Sequence, residues 1–164
     1  VYAGWEHAGK DAEWLGFVDA DGATPAREAA RVAAMLAETD SDFLIASRVK
    51  MLGHSVDRTL KRHIFGRAFA TISTILTGVA VYDSQCGCKF LKRGVYEKIR
   101  SRLHDSRFCF DMDLISHAHH TGAKIREVPV DWTDIPGSKV HILRDGFRML
   151  AALLRIRANL RAGV

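Results

Sequence analysis

Hydrophobic and polar positions along this chain fall into blocks that predict strands and helices in turn. Four short apolar runs bounded by turn residues predict buried strands, at residues 14–18, 43–46, 79–82 and 125–132. Apolar residues at three- to four-residue spacing predict helices, at about residues 25–38, 56–77, 95–99, 111–121 and 140–160. This order predicts an α/β fold with a mostly parallel sheet. Pro129 in the last run predicts an edge strand or a bulge.

Composition changes this picture by excluding some classes of protein. With 48% hydrophobic and 26% charged residues, the chain is typical of one globular domain. No apolar run reaches the length of a membrane span, and three cysteines without framework spacing predict a reduced compartment. The chain starts without Met, and its first strong strand leads directly into a candidate site loop. We therefore expect it to be a fragment of a longer protein.

The net charge of +5 is concentrated at the C-terminal end, where six basic residues and one acid follow from Lys139 onward. The apolar stripe of the helix predicted there consists of Leu143, Phe147, Leu150 and Leu154. Arginines gather on another face, so the pattern predicts an amphipathic helix lying in a membrane interface. The alternative is that this stripe packs on the sheet. The same two alternatives are open for the helix predicted at 56–77.

Two aspartates, Asp19 and Asp21, directly follow the first predicted strand. Open α/β sheets bind ligands at the carboxyl ends of their strands, and two neighbouring carboxylates attract a hard divalent cation. The alternative is a strand end followed by an Asp21-Gly22 turn. An EF-hand does not fit, because Thr24 and Ala30 stand where its loop needs Gly and Glu. A DxDG phosphatase and a sugar-nucleotide transferase, whose carboxylates hold Mg²⁺ or Mn²⁺ against a diphosphate, both remain open.

Five motifs in a fixed order narrow these alternatives. They are DADGATP at 19–25, SR at 47–48, DSQCGCK at 83–89, FCFDMDL at 108–114 and VDWTDIPGSK at 130–139. In this order they resemble the family 2 glycosyltransferases that load a sugar onto a polyprenyl phosphate. The resemblance is greatest to the dolichyl-phosphate β-glucosyltransferases, and the dolichyl-phosphate mannose synthases are more distant. It covers roughly residues 4 to 157.

This resemblance implies part of a GT-A (Rossmann-like) fold and an inverting transfer of a hexose from a nucleotide sugar to a lipid phosphate. The expected donor is UDP-glucose, with GDP-mannose as the alternative. The expected cofactor is Mg²⁺ or Mn²⁺, and the expected partners are a polyprenyl or dolichyl phosphate and a membrane surface, with no nucleic acid. We expect the enzyme on the cytoplasmic face of the plasma membrane or the endoplasmic reticulum.

The family resemblance also implies a division of the chain. Residues 1–139 correspond to the C-terminal two-thirds of the catalytic domain, and residues 140–164 to a basic membrane-interface helix. The family's N-terminal third, which binds the base and ribose, has no counterpart here. We therefore expect the isolated fragment to bind a nucleotide sugar poorly or not at all, so that activity belongs to the complete protein.

Roles for single residues follow from the resemblance as well. Asp21 is expected to bind the metal directly, and Asp19 to face both the metal and the nucleotide sugar. Asp113 is expected to be the base or the acid that positions the acceptor, whereas Asp111 has an alternative role as the cap of the following helix. For Arg48, which is expected on a phosphate oxygen, the alternative is an ordinary ion pair. The other expected substrate contacts are Gln85 and Lys89 in the sugar or diphosphate pocket and Ser138 and Lys139 at the acceptor phosphate.

Overall fold

The computed structural model describes residues 1–57, 59–105, 109–135 and 142–162. Its strands are β1 (Trp14–Val18), β2 (Phe43–Ser47), β3 (Val56–Asp57), β4 (Cys88–Lys92), β5 (Ile125–Pro129) and β6 (Trp132–Thr133). Its α-helices are α1 (Tyr2–Glu6), α2 (Ala26–Ala34), α3 (Leu60–Thr77), α4 (Arg93–Ile99), α5 (Phe110–His120) and α6 (Ile142–Ala162). Short 3₁₀ turns follow α2 and α4. The predicted α/β class is confirmed.

A four-stranded sheet in the order β1-β4-β2-β5 forms the centre of the fold. Strand β4 runs antiparallel to both β1 and β2, and β2 pairs parallel with β5. Three of the four strands therefore run in one direction, as a mostly parallel sheet requires. The β5 strand, which ends at Pro129, lies at an edge, as Pro129 predicts. A separate two-stranded sheet joins β3 to β6.

The sheet is covered by helices on both faces. Alternate residues of β2 divide between two cores: Phe43 and Ile45 pack in one, and Leu44 and Ala46 in the other. The first core contains buried side chains of α1, α4 and α5, and the second contains Val32 of α2. All five residues of β2 are buried, which explains its continuous apolar run.

The helix α6 buries only part of its surface. Its Ala152, Leu153 and Ile156 pack in a third core with Cys109 and Met112 of the α5 region. The predicted apolar stripe lies elsewhere on the helix, because Phe147, Leu150 and Leu154 are all exposed. For these residues, packing on the sheet does not occur.

At the centre of the chain, one predicted strand is wrong and one observed strand was not predicted. Residues 79–82 form no strand, although Val79 and Val81 are buried. The backbone N–H groups of Tyr82 and Asp83 instead donate to the Glu127 carboxylate, at 2.8 and 3.0 Å. The strand in this region is β4, which the sequence pattern does not predict because Lys89 interrupts its apolar residues.

Candidate active site

Several chemically active side chains meet at one edge of the sheet. Asp19 follows the end of β1, and Arg48 follows the end of β2. Because β4 is antiparallel to these strands, its first residues lie at the same edge, with Cys88 opposite Val18. Such an edge, at the carboxyl ends of parallel strands, is where α/β sheets bind their ligands.

The loop after β1 holds Asp19 and Asp21, both exposed. The Asp19 N–H donates to the Gly87 carbonyl at 2.7 Å, and a Cβ atom at Gly87 would collide with the Asp19 carboxylate. Asp21 Oδ1 accepts the Ala23 N–H at 2.9 Å, which closes a turn through Gly22 at φ +76°. Although Asp19 is exposed, the surrounding protein shields part of its carboxylate from water. This desolvation and the nearby Asp21 charge raise the pKa of Asp19.

The donor set of this loop fits a divalent cation such as Mg²⁺ or Mn²⁺. Carboxylate oxygens are hard ligands, and a cation between Asp19 and Asp21 would relieve the repulsion that raises the Asp19 pKa. The described residues contain no group of three or more His, Cys, Asp or Glu that could hold a metal. Mg²⁺ sites with one or two protein carboxylates take their remaining ligands from phosphates and water, so two aspartates are sufficient.

Lys89 lies in the protein interior and not, as predicted, in a substrate pocket. Its side chain is 0% exposed, and its ammonium donates to Asp111 Oδ1 at 2.6 Å and to the Cys86 carbonyl. The ammonium also lies 5.4 Å from the centre of the Phe17 ring. The Lys89 side chain thus joins β4 to the first turn of α5.

Asp111 lies among the charged groups of the candidate site and does not act as the cap of α5, its alternative role. Burial raises the pKa of Asp111 first of all, and the neighbouring charges of Asp19 and Asp83 raise it further. The Lys89 ammonium acts in the opposite direction. Cys109, not Asp111, precedes the first residue of α5, and no side chain caps this helix.

The structure corrects the role predicted for Asp113. This side chain is 1% exposed, and its Oδ2 accepts the backbone N–H groups of His104 and Asp105 at 2.7 and 2.8 Å. Its Oδ1 lies 3.1 Å from His117 Nδ1. Two residues along a helix differ by about 200° in direction, so Asp111 and Asp113 cannot face the same cleft. Asp113 stabilises the fold by holding the chain that enters α5.

Arg48 makes an ion pair, the alternative to its predicted phosphate contact. Its Nε and Nη2 bind the two carboxylate oxygens of Asp83 at 2.6 and 2.7 Å, and its backbone N–H donates to Asp83 at 2.9 Å. Its guanidinium lies 5.1 Å from the Trp132 ring centre. Sequence reasoning missed Asp83 as a site residue, and its position at the start of the DSQCGCK motif was the available signal.

The remaining predicted contacts divide into two groups. Gln85 lies near the edge and lines a cavity of about 30 Å³ together with Arg48 and Asp83. Ser138 and Lys139 lie outside the described residues. The three cysteines Cys86, Cys88 and Cys109 are free and buried.

Replacing Asp113 by Ala should lower the free energy of unfolding by about 3 kcal/mol at pH 7, because the backbone N–H groups of His104 and Asp105 lose their acceptor. Burial alone would raise the pKa of Asp113, but hydrogen bonds from His117, Asp105 and His104 hold it below its usual value. The stabilisation is therefore present above about pH 4 and is lost as the pH falls through the folded-state pKa. Urea unfolding from pH 7 down to pH 3 measures this. An equal difference between variant and wild type at every pH would contradict the assignment.

Comparison with known proteins relates the chain to one group of enzymes, although no family model matches it. It is 30% identical over 152 residues to a dolichyl-phosphate beta-glucosyltransferase of Dictyostelium discoideum, covering 90% of this chain and 46% of the relative. A dolichyl-phosphate beta-glucosyltransferase of Trichomonas vaginalis is 30% identical over 169 residues, covering 100% and 49%. A polyprenol monophosphomannose synthase of Mycolicibacterium smegmatis is 30% identical over 118 residues, covering 71% and 44%.

The chain spans about half the length of these curated relatives. Relatives named for glucosyl transfer and for mannose share the same identity with it, so identity alone does not distinguish the two sugars. What these relatives share is their kind of name, which describes a sugar transferase and includes a dolichyl or polyprenol phosphate. The five ordered motifs and these matches agree: over most of its length the chain is similar to sugar transferases of this kind, which is consistent with a family 2 glycosyltransferase.

Proposed function

We propose that the protein carrying this chain transfers a hexose, glucose from UDP-glucose, to a dolichyl or polyprenyl phosphate with inversion at the anomeric carbon. The observation that carries the proposal is the meeting of Asp19, Asp21 and the Lys89–Asp111 pair at one edge of the sheet. Relatives named for this reaction support it over a DxDG phosphatase. GDP-mannose is the second candidate donor, supported by the mannose synthase of M. smegmatis.

In this proposal Asp21 and Asp19 would hold Mg²⁺ or Mn²⁺, and the ion would supply positive charge to offset the charge of the leaving nucleotide diphosphate. Asp111, oriented by Lys89, faces the acceptor side. An acceptor phosphate oxygen forms the new bond to the anomeric carbon as the bond to the diphosphate breaks. Because the acceptor phosphate is already ionised near neutral pH, Asp111 acts through positioning and charge rather than as a strong base.

Polar groups suited to binding phosphates lie next to this edge. Arg48, Lys50 and His63 line a cavity of about 310 Å³ together with the apolar Val56 and Leu60. A cavity with cationic and apolar walls suits a phosphate that carries a hydrocarbon chain. In this proposal Arg48 keeps the phosphate role predicted from the sequence. Its guanidinium binds a phosphate oxygen while it remains paired with Asp83.

Two packed helices, α3 and α6, support a membrane surface as partner. Their exposed large apolar side chains are Leu60, Ile64, Phe65, Ile72 and Ile75 on α3 and Phe147, Leu150 and Leu154 on α6. Basic side chains flank the stripe of α6, as in helices that lie in a lipid interface. Within the described residues, neither these helices nor any other is long and apolar enough to cross a bilayer. We propose that this surface rests on the cytoplasmic face of the membrane.

A pair of substitutions in α6 separates lipid contact from core packing. Phe147 is 76% exposed and Leu153 is 0% exposed. Phe147→Asn should leave the unfolding free energy within about 0.5 kcal/mol of wild type but weaken binding to phosphatidylglycerol vesicles. Leu153→Ala should lower the unfolding free energy by about 2–5 kcal/mol. Vesicle sedimentation and urea unfolding measure the two effects, and unchanged vesicle binding by Phe147→Asn would contradict the proposed surface.

The decisive experiment is a donor screen on the complete protein. Labelled UDP-glucose or GDP-mannose is supplied with polyprenyl phosphate and Mn²⁺, and label entering the lipid phase is measured with and without EDTA. Glucose in the lipid phase, lost with EDTA, is the expected result, and NMR of the product tests inversion. Mannose transfer would select the second candidate. Hydrolysis of p-nitrophenyl phosphate without sugar transfer would overturn the proposal.

A further inference from the structure

The loop between β2 and β3 presents an apolar tip to solvent. A backbone bridge between Met51 and His54 closes the loop, and Gly53 adopts a left-handed conformation at φ +88°. This turn places Leu52 at the tip, where its side chain is 99% exposed, next to the half-exposed Met51. A single exposed leucine is ordinary, so the argument depends on what surrounds it.

The base of this loop is fixed to the body of the protein. Asp131 Oδ1 accepts the Ser55 N–H at 2.8 Å, and Asp131 Oδ2 accepts from Arg27 at 3.0 Å. The Trp132 N–H donates to the Ser55 carbonyl at 2.9 Å, where β3 begins to pair with β6. These bonds hold the Ser55 side of the base, and the Arg48 N–H, which donates to Asp83, holds the other side, so the tip projects from a defined position.

The segment that contains the tip is rich in basic residues, since residues 48–67 contain six basic residues and a single acid, Asp57. Lys50 immediately precedes the tip, and the cavity that it lines extends to Leu60 at the start of α3. Leu60 and Ile64 are exposed as well, so exposed apolar groups lie beside the cationic Lys50 on this surface. Exposed apolar groups among cationic ones suit the headgroup region of an anionic bilayer.

We infer that the Met51–Leu52 tip inserts into an anionic bilayer and fixes the orientation in which the protein meets the membrane. The inference rests on the membrane association in the proposed function. With the tip below the headgroups, Lys50 lies at the level of the lipid phosphates. The cavity lined by Arg48, Lys50 and His63 then opens at the depth where a lipid-linked phosphate is found.

The three cysteines of this chain are all buried, so a cysteine placed at the exposed tip can be labelled selectively once any cysteine outside this chain is replaced by serine. A Leu52→Cys variant of the complete protein is labelled with the environment-sensitive dye NBD and mixed with phosphatidylcholine vesicles containing phosphatidylglycerol. The control is Lys10→Cys, an exposed position that precedes β1 and therefore lies at the opposite end of the sheet. We expect a blue shift and strong quenching by doxyl-labelled lipids at position 52 and neither effect at position 10. Aqueous emission at position 52 with the protein bound to vesicles, or no binding at all, would overturn the inference.

Unlabelled variants provide a second measurement. Leu52→Asn should weaken vesicle affinity about tenfold, whereas Leu52→Phe should retain it. Neither should change sugar transfer to a short-chain acceptor in detergent, because residue 52 has no part in the proposed chemistry. Insertion of residue 52 by a protein that transfers no sugar would overturn the proposed function alone. Sugar transfer with residue 52 in water would overturn this inference alone.

Discussion

Replacing Asp21 or Asp19 by Asn should reduce sugar transfer by at least about a hundredfold, equivalent to about 3 kcal/mol of transition-state stabilisation. Asn retains the shape of the side chain but removes the charge that attracts a divalent cation. The turn at Ala23 needs only an oxygen acceptor, so the fold should remain intact. The measurement is labelled sugar in the lipid phase over a range of Mn²⁺ concentrations, together with circular dichroism.

A matched control is Asp40→Asn, which removes one carboxylate from an exposed position. Asp40 is 85% exposed and lies 3.4 Å from Lys124, away from the site residues. This variant should transfer sugar at the wild-type rate, since surface ion pairs contribute little. Wild-type activity of Asp21→Asn at every Mn²⁺ concentration would contradict a metal role for this loop.

Replacing Lys89 by Met should lower the free energy of unfolding by about 3–5 kcal/mol at pH 7, because Asp111 would remain in the interior without its partner. Burial already raises the pKa of Asp111, and loss of the ammonium would raise it further. The folded protein would then take up a proton that the unfolded chain releases. The loss of stability should therefore grow above about pH 4 and shrink below it, which urea unfolding at several pH values measures.

The double variant Lys89→Met/Asp111→Asn is the control for that prediction. Removing both charges leaves no buried ion without a partner, so the double variant should recover a large part of the lost stability. It should nevertheless transfer sugar poorly if Asp111 positions the acceptor. Wild-type stability of Lys89→Met alone would show that the buried pair contributes nothing to the fold.

Elements with a regular pattern could be predicted from the sequence. The continuous apolar run of β2 and the helical spacing of α3, α5 and α6 lie close to their predicted positions. The strand β4 could not be predicted in this way, because Lys89 looks like a solvent-facing residue until its partner is known. That partner, Asp111, lies 22 residues further along the chain. Burial of a charge depends on tertiary contacts, which local patterns do not contain.

The candidate site shows the same limit. The motif loops converge in the structure, since Asp19 and Asp83 lie close enough to Asp111 to raise its pKa and Arg48 pairs with Asp83. They do not show which aspartate of FCFDMDL faces the cleft, because that depends on where α5 begins and which way it is turned. The pairing of Arg48 with Asp83 is likewise a contact between distant segments.

The position of β4 between β1 and β2 has a consequence for biosynthesis. Neither β1 nor β2 has its β4 neighbour until residues 88–92 have left the ribosome. A nascent chain that stops before residue 88 therefore carries two apolar segments with open hydrogen-bonding edges, which favours aggregation and chaperone capture. Truncations between residues 48 and 87 should be insoluble, and the shortest soluble product should extend beyond Lys92.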